Sequence, residues 1–295
     1  MASAEITKLK ALLRDKALPP ETSIEQRRAV IEKLSFRVAE DIAVESISIK
    51  DRRAEWLRAP GVDDARVLLY LHGGGYVMGS PNTHRALAGE LSRAAGAAVL
   101  LPDYRLAPEA PFPAAVDDAV AVYEWLLAQG HRPAQLAIAG DSAGGGLTVA
   151  TLIALREKSS PQPRCAVCLS PWSDLNCSNA SYQTRAAADP MITSADISMM
   201  AKLYLNGADP KSPLASPNRA DLSGLPPLLI HVGRDELLLD DAVVLHEAAR
   251  SAGVVSTLEI WDDMIHVWHA FHPMLPEGRQ GIARIGEYLR GQWRE

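Results

Sequence analysis

The sequence has few cysteines, no long apolar run and no excess of basic residues. Its 295 residues include three cysteines, which fits a protein kept in a reducing compartment. No stretch approaches the roughly 20 apolar residues that a membrane-spanning helix needs. The first residues, MASAEITKLK, carry charges where a signal peptide needs an apolar run. We therefore expect a cytoplasmic protein that neither spans a membrane nor leaves the cell through a cleaved signal.

The charge balance limits the kinds of partner. Acidic residues number 36 against 30 basic ones, which gives a formal net charge of −6. Such a surface repels phosphate backbones and anionic lipids, so we expect no nucleic-acid and no membrane partner. Metal-ligand spacing and a phosphate-binding glycine loop are both missing from the sequence, so neither a metal nor a cofactor is expected.

Short apolar runs alternate with helical segments through most of the chain. These runs are Val67–Leu71, Ala97–Leu101, Leu136–Ala139, Ala166–Leu169 and Leu228–Val232, and Ser256–Trp261 is a further predicted strand. Continuous apolar strands separated by helices are typical of a mostly parallel sheet covered on both faces. Residues 42–49 and 53–58 predict one further pair of strands. The predicted fold class is therefore α/β, with eight strands and helices on both faces of the sheet.

Two segments break this alternation and predict a cap. Residues 1–40 have the pattern of two helices separated at Leu18-Pro19-Pro20, whereas residues 172–222 are polar and proline-rich with one helix near 194–205. Long excursions in compact domains are usually functional. We expect both segments to fold over one end of the sheet, residues 1–40 as a helical cap and 172–222 as an excursion of a main domain that spans 41–295.

The strongest local signal is Gly140-Asp141-Ser142-Ala143-Gly144, which lies between an apolar run and a helical run. A tight turn of this kind needs small residues on both sides of the serine. It raises the serine hydroxyl above the sheet at the N-terminus of a helix, where the helix dipole favours developing negative charge. The pattern predicts Ser142 as a nucleophile.

A second signal, His72-Gly73-Gly74-Gly75, directly follows a predicted strand. Nucleophilic attack on a carbonyl forms a tetrahedral oxyanion, which needs preorganised donors. Glycines let backbone N–H groups approach such a group closely. The predicted oxyanion hole consists of the amides of Gly73 and Gly74 together with that of Ala143.

The partners of a nucleophilic serine in this setting follow in chain order, an acid and then a histidine, each after a strand. Asp235 follows the apolar run that ends at residue 232, and His266 follows the strand that ends at residue 261. These two are the predicted acid and base. Glu236 stays open as a substitute acid, and His269 stays open as a rival base.

Together these motifs resemble the hormone-sensitive-lipase family of bacterial esterases, family IV. The residues that carry the resemblance are His72-Gly73-Gly74-Gly75, Tyr104-Arg105-Leu106-Ala107-Pro108-Glu109, Gly140-Asp141-Ser142-Ala143-Gly144-Gly145 and Met264-Ile265-His266. The resemblance implies an α/β-hydrolase fold with an N-terminal helical cap, ester hydrolysis without a cofactor, and often a homodimer. It also implies a triad of Ser142, Asp235 and His266.

The chain departs from the family pattern at two places. The family's acid usually stands in an Asp-Pro-Leu-x-Asp pattern, whereas Asp235 is followed by Glu236-Leu237-Leu238-Leu239-Asp240, one residue longer. The family's histidine is usually followed by Gly-Phe, whereas His266 is followed by Val267-Trp268. The second variant is similar to a subgroup labelled monoterpene lactone hydrolases.

The function expected from these residues is hydrolysis of short- to medium-chain carboxylic esters, a small-molecule substrate, with a maximum near C4 to C8. Four apolar residues are predicted to line the pocket: Trp172, Met199, Leu203 and Trp268. A bulky Trp268 beside the base would narrow the alcohol side and favour cyclic esters such as lactones. An amidase or peptidase and a ligand-binding receptor without hydrolysis are the alternatives.

Overall fold

The computed structural model describes residues 2–294, which build one eight-stranded sheet. The strands are β1 (Ala43–Ile49), β2 (Arg52–Arg58), β3 (Asp63–Leu71), β4 (Ala97–Pro102), β5 (Leu136–Asp141), β6 (Cys165–Leu169), β7 (Leu228–Gly233) and β8 (Ser256–Trp261). Their order across the sheet is β1-β2-β4-β3-β5-β6-β7-β8. The pairs β1–β2 and β2–β4 are antiparallel, and all the other pairs are parallel. The predicted fold class is confirmed.

Helices cover both faces of the sheet. The described α-helices are α1 (Ala4–Asp15), α2 (Ile24–Leu34), α3 (Pro81–Ala95), α4 (Ala114–Ala128), α5 (Ala143–Glu157), α6 (Ser181–Thr184), α7 (Ser194–Leu205), α8 (Leu239–Ser251) and α9 (Pro276–Gln292). Apolar residues of α4, α5 and α8 share one core with one set of strand side chains, and those of α3 and α9 share a second core with the other set. The central strands are buried on both sides, which explains their continuous apolar runs.

The strand register brings the candidate residues to one edge of the sheet. Leu71 of β3 pairs with Gly140 of β5, so the loops that begin at His72 and Ser142 lie side by side. Gly233 of β7 pairs with Trp261 of β8, which places the following loops together as well. Since the carboxyl ends of parallel strands meet at a common edge, this is the edge at which α/β proteins usually bind ligands.

The N-terminal helices lie against loops at that edge. Ile6 and Leu9 of α1 are buried in a small apolar cluster with Met264 and Ile265, the residues directly before His266. Arg28 of α2 donates to the backbone oxygen of Val77 (2.7 Å), shortly after the glycine loop. The break predicted at Leu18-Pro19-Pro20 falls between α1 and α2, as expected.

Residues 172–222 also reach the glycine loop. Tyr204 of α7 stacks face to face on Tyr76, with ring centroids 3.8 Å apart. The backbone oxygen of Tyr204 accepts from the N–H of Phe112 (2.8 Å), which fixes the end of α7 against the body of the molecule. None of the helices within residues 2–294 has the length and apolar character needed to cross a membrane.

Candidate active site

Ser142 occupies a strained turn between β5 and α5. Its φ of 54° and ψ of −122° lie in a region that non-glycine residues rarely adopt. Two backbone hydrogen bonds hold this conformation, from Ser142 N–H to Leu169 O (2.8 Å) and from Trp172 N–H to Ser142 O (2.8 Å). A Cβ on Gly140 or Gly144 would overlap neighbouring backbone, so the turn closes only with glycine at these two positions.

His266 lies in the loop after β8 and is 4% exposed. Its Nδ1 is 3.0 Å from Oε1 of Glu236. An ionised carboxylate only accepts hydrogen bonds, so Nδ1 carries the proton and Nε2 is the basic nitrogen. Burial acts to lower the pKa of His266, but the hydrogen bond and negative charge of Glu236, with Asp189 and Asp141 beyond it, outweigh burial and raise that pKa above its ordinary value.

The prediction that Asp235 orients the histidine is wrong. Oδ2 of Asp235 pairs with Nζ of Lys10 in α1 (2.6 Å), and the carboxylate stays partly exposed. The Asp235 N–H donates to Met264 O (3.0 Å), which sets the backbone so that Asp235 faces α1 and the next residue, Glu236, turns inward. The alternative acid, Glu236, is the residue that the structure brings to His266.

A sequence signal for Glu236 is present in the family pattern. Counting back from Asp240 rather than forward from Asp235, the five residues Glu236-Leu237-Leu238-Leu239-Asp240 have the length of Asp-Pro-Leu-x-Asp. Leu238 then occupies the position of the pattern's leucine, and Glu236 that of its first acid. If the pattern is aligned on Asp235, one extra residue stands before Asp240. If it is aligned on Asp240 and counted back, its first position falls on Glu236 and no residue is left over.

The Glu236 carboxylate is fully buried and held at both oxygens. While Oε1 faces His266, Oε2 accepts from the Gly233 N–H (2.8 Å) and from the Ser170 hydroxyl (2.8 Å). A buried carboxylate needs such donors, because burial without them disfavours its charged form strongly. These contacts hold the carboxylate in a fixed orientation beside the histidine.

The glycine loop departs from the predicted oxyanion hole at Gly73. The Gly73 N–H donates to Oδ1 of Asp141 (3.0 Å), so this amide already has an acceptor, and the assignment of Gly73 is wrong. Asp141 also accepts from the Tyr70 hydroxyl (2.8 Å). The residue before the nucleophile thus fixes the start of the glycine loop.

The next amides of that loop are the available donors. Among residues 2–294, none accepts a hydrogen bond from the N–H of Gly74, Gly75 or Ala143. Gly75 has a φ of 62°, and a Cβ there would overlap Sδ of Met200 in α7. The loop therefore offers Gly74 and Gly75, together with Ala143 at the start of α5, as the donor set. Gly75 is the residue of this loop that sequence reasoning missed as a donor.

Two of the four predicted pocket residues are core residues. Trp172 is 1% exposed and Trp268 is 0% exposed, so neither ring presents accessible surface to a cleft. Trp268 packs in the cluster of Ile6 and Leu9 and beside Trp261, with ring centroids 5.5 Å apart. The prediction that Trp172 and Trp268 line the pocket is therefore wrong. Met199 and Leu203 are half-buried in α7, and their place in a pocket stays a prediction.

The rival base His269 belongs to a buried pair. Its Nε2 lies 3.1 Å from Nδ1 of His231, and burial, with the neighbouring His231, holds its pKa well below the ordinary value. Glu259 approaches the other side of His231 (3.3 Å). His269 therefore contacts His231 of β7, and within residues 2–294 it has no carboxylate partner of the kind that His266 has. In the part of the chain that is described, no cluster of three or more His, Cys, Asp or Glu side chains is arranged to hold a metal ion.

The sheet order, the strained serine turn and the buried histidine–carboxylate pair together define an α/β-hydrolase with a serine nucleophile turn. A family model described as alpha/beta hydrolase fold matches residues 68–270. The chain belongs to this family.

Relatives within the family place it more closely. An "Acetyl-hydrolase" of Streptomyces hygroscopicus is 56% identical over 237 residues, which cover 80% of this chain and 79% of that protein. A crystal structure of EstE5 soaked with p-nitrophenyl butyrate matches with a TM-score of 0.97 and 59% identity over 100% of both chains. An esterase from the bacterial hormone-sensitive lipase family matches with a TM-score of 0.96 and 50% identity over 99% of both chains. The predicted resemblance to that family is confirmed, and with it the class of carboxylic ester hydrolase.

Proposed function

We propose that this carboxylesterase acts through Ser142 as nucleophile, His266 as base and Glu236 as the acid. The observation that carries the assignment is the 3.0 Å contact between His266 Nδ1 and Glu236 Oε1. It fixes the imidazole tautomer so that Nε2 is free to take a proton, which is the role that the acid of a triad has.

The reaction proceeds in two stages. His266 takes the Ser142 proton as the hydroxyl oxygen attacks the ester carbonyl, and the amides of Gly74, Gly75 and Ala143 hold the oxyanion. The carbon–oxygen bond to the alcohol then breaks, and His266 gives the leaving alcohol its proton. Water, deprotonated by His266, then attacks the acyl-enzyme, and the carboxylic acid product is released from Ser142. Glu236 stays ionised throughout and stabilises the imidazolium that forms in each stage.

The two neighbouring carboxylates provide a direct test of the acid. Glu236→Gln removes the charge beside His266 and lets the imidazole take the wrong tautomer, so we expect kcat to fall by about 10⁴-fold. Asp235→Asn removes only a partly exposed ion pair with Lys10, and we expect kcat within about threefold of the parent chain. Steady-state hydrolysis of p-nitrophenyl butyrate measures both. A larger loss of kcat in Asp235→Asn than in Glu236→Gln would show that Asp235 is the acid of the triad.

We propose further that α1, α2 and residues 172–222 form the cap over a catalytic domain of residues 41–295. Support comes from Ile6 and Leu9 beside the His266 loop and from Tyr204 stacked on Tyr76. Met200 contacts the glycine loop directly, which places an apolar side chain of α7 beside the donor set. The homodimer and the cytoplasmic location remain predictions.

We propose that the substrates carry compact acyl groups. An apolar pocket gains about 0.8 kcal/mol for each CH₂ that it buries, so kcat/KM should rise with acyl length until the pocket is full. We expect a maximum near C4 to C8, as the sequence predicts. The name of the acetyl-hydrolase relative and the butyrate ester used with EstE5 agree with short acyl groups. Trp268 gives no reason to expect a preference for lactones, because its ring is buried in the core.

A substrate panel tests this proposal. We would measure kcat/KM for p-nitrophenyl esters from C2 to C16, beside a lactone and a peptide amide. A rate that keeps rising to C16, or a jump above the emulsion threshold, would show a lipase. Faster cleavage of the amide would show an amidase, a preference for the lactone would show a lactone hydrolase, and binding without turnover would show a receptor.

A further inference from the structure

Ser170 lies directly after β6 and follows Leu169, whose backbone oxygen accepts from the Ser142 N–H (2.8 Å). Its side chain is fully buried, and its φ of 47° is in the left-handed region that favours glycine. The Ser170 N–H donates to the His231 backbone oxygen of β7 (2.7 Å), which fixes this conformation. A strained backbone conformation of this kind is kept where the surrounding structure holds it, and it often has a functional role. The contacts of the Ser170 side chain indicate that role.

The Ser170 hydroxyl connects the two loops that carry the acid and the base. It lies 2.8 Å from Oε2 of Glu236 and 3.1 Å from the N–H of Val267, the residue after His266. A carboxylate only accepts and a backbone amide only donates, so the hydroxyl proton points to Glu236 and an oxygen lone pair receives the Val267 N–H. One hydroxyl therefore fixes both partners of the histidine–carboxylate contact.

A glutamate in this position needs more support than an aspartate. Its side chain has one more rotatable bond, so its carboxylate can leave the imidazole plane more easily. Oε2 has two donors, Gly233 N–H and the Ser170 hydroxyl, and only the second is a side chain that also contacts the histidine loop. Val267 has a φ of 47°, so the backbone beside His266 is held in a disfavoured conformation and depends on such a contact.

We propose that Ser170 is a positioning residue, whose hydroxyl holds Glu236 and the His266 loop in register for proton transfer. This inference rests on the proposed function, in which Glu236 is the acid. Ser170 touches neither substrate nor the reacting atoms and acts through Glu236 and Val267. Its loss should therefore slow the chemical step and leave substrate binding unchanged.

Ser170→Ala tests the inference, because alanine removes the hydroxyl and has the same difficulty with a positive φ. We expect kcat for p-nitrophenyl butyrate to fall about 10- to 100-fold, the effect of losing one hydrogen bond to a charged group, with KM within about twofold. Ser173→Ala is the matched control. Ser173 is also buried after β6, but its hydroxyl donates to the backbone oxygen of Asp241 (2.9 Å), and we expect little change in kcat.

A double-mutant cycle separates positioning from a general structural role. In a Glu236→Ala chain there is no carboxylate to hold, so adding Ser170→Ala should lower the residual rate by less than about threefold. A full loss in that background would show that Ser170 acts through the fold and would overturn the inference alone. If Glu236→Ala itself keeps the parent rate, the proposed acid fails instead.

A second variant keeps the test decisive if Ser170→Ala does not fold. Ser170→Gly removes the same hydroxyl, and glycine adopts a positive φ without strain. We expect it to melt near the parent temperature with the same loss of kcat as Ser170→Ala. A well-folded Ser170→Gly chain with the parent kcat would contradict the positioning role.

Discussion

Ser142→Ala is expected to lower kcat for p-nitrophenyl butyrate by about 10⁶-fold, because alanine has no hydroxyl to attack the carbonyl. Ser142 is buried at the base of the site, and the backbone around it is fixed by Leu169 and Trp172, so the substitution leaves the fold intact. The residual rate should be that of the oxyanion donors alone, roughly 10³- to 10⁴-fold above water. Steady-state kinetics at high enzyme concentration measures it.

The control is a serine that lies outside the site. Ser198 is exposed on α7 and its hydroxyl bonds only to Ser194 O (2.7 Å), so Ser198→Ala should hydrolyse the ester at the parent rate. A Ser142→Ala chain that keeps more than about a hundredth of the parent rate, after dialysis and repurification, would place the nucleophile elsewhere.

His266→Ala is expected to be nearly as damaging as Ser142→Ala, with a loss of about 10⁶-fold in kcat, because no other group takes the serine proton. His269→Asn is the matched comparison. It is three residues away and removes the contact with His231 without touching Glu236. We expect a loss at least 10³-fold smaller than for His266→Ala. The opposite order of the two variants would make His269 the base.

The pH profile of kcat/KM checks the same histidine without mutation. The base acts only when it is neutral, so activity falls as the pH drops through the pKa of His266. Because Glu236 raises that pKa, the acid limb should have its midpoint above the ordinary histidine value of about 6.5. In Glu236→Gln the raising charge is gone, so the midpoint should move to lower pH along with the loss of rate.

Much of the fold follows from the sequence because the central strands are buried on both faces. Five of the predicted strands are short apolar runs, and each of these falls on a strand, as does the predicted strand Ser256–Trp261. Helix α3 lies outside the predicted elements. Its start is signalled by the N-cap Ser80 followed by Pro81, a signal that the sequence reasoning did not use.

The acid of the triad could not be chosen by matching residue types to the family pattern, because the choice depends on the geometry of the loop. Asp235 and Glu236 are adjacent, and which of them turns inward depends on the Asp235 N–H contact with Met264 O, a residue of another loop. Nothing local distinguishes the two. The spacing to Asp240, in the first turn of α8, does distinguish them, because only Glu236 stands at the distance that the family pattern gives its acid.

The predictions for the glycine loop and for the two tryptophans were wrong for a different reason. Whether the Gly73 N–H is a free donor depends on the side chain of Asp141, which lies in β5, the strand beside β3, and is distant in sequence. Whether Trp268 faces a cleft or the core depends on α1 and on how β8 packs, and both are distant in sequence. Apolar residues near a site are placed by tertiary packing, so their role in a pocket is the least predictable part of a sequence.

The most direct test of the proposed triad is labelling with a fluorophosphonate, followed by peptide mass spectrometry. We predict one adduct per chain, on Ser142, formed at the parent rate in Asp235→Asn and far more slowly in Glu236→Gln and His266→Ala. An adduct on another serine, or rapid labelling of Glu236→Gln with slow labelling of Asp235→Asn, would contradict it.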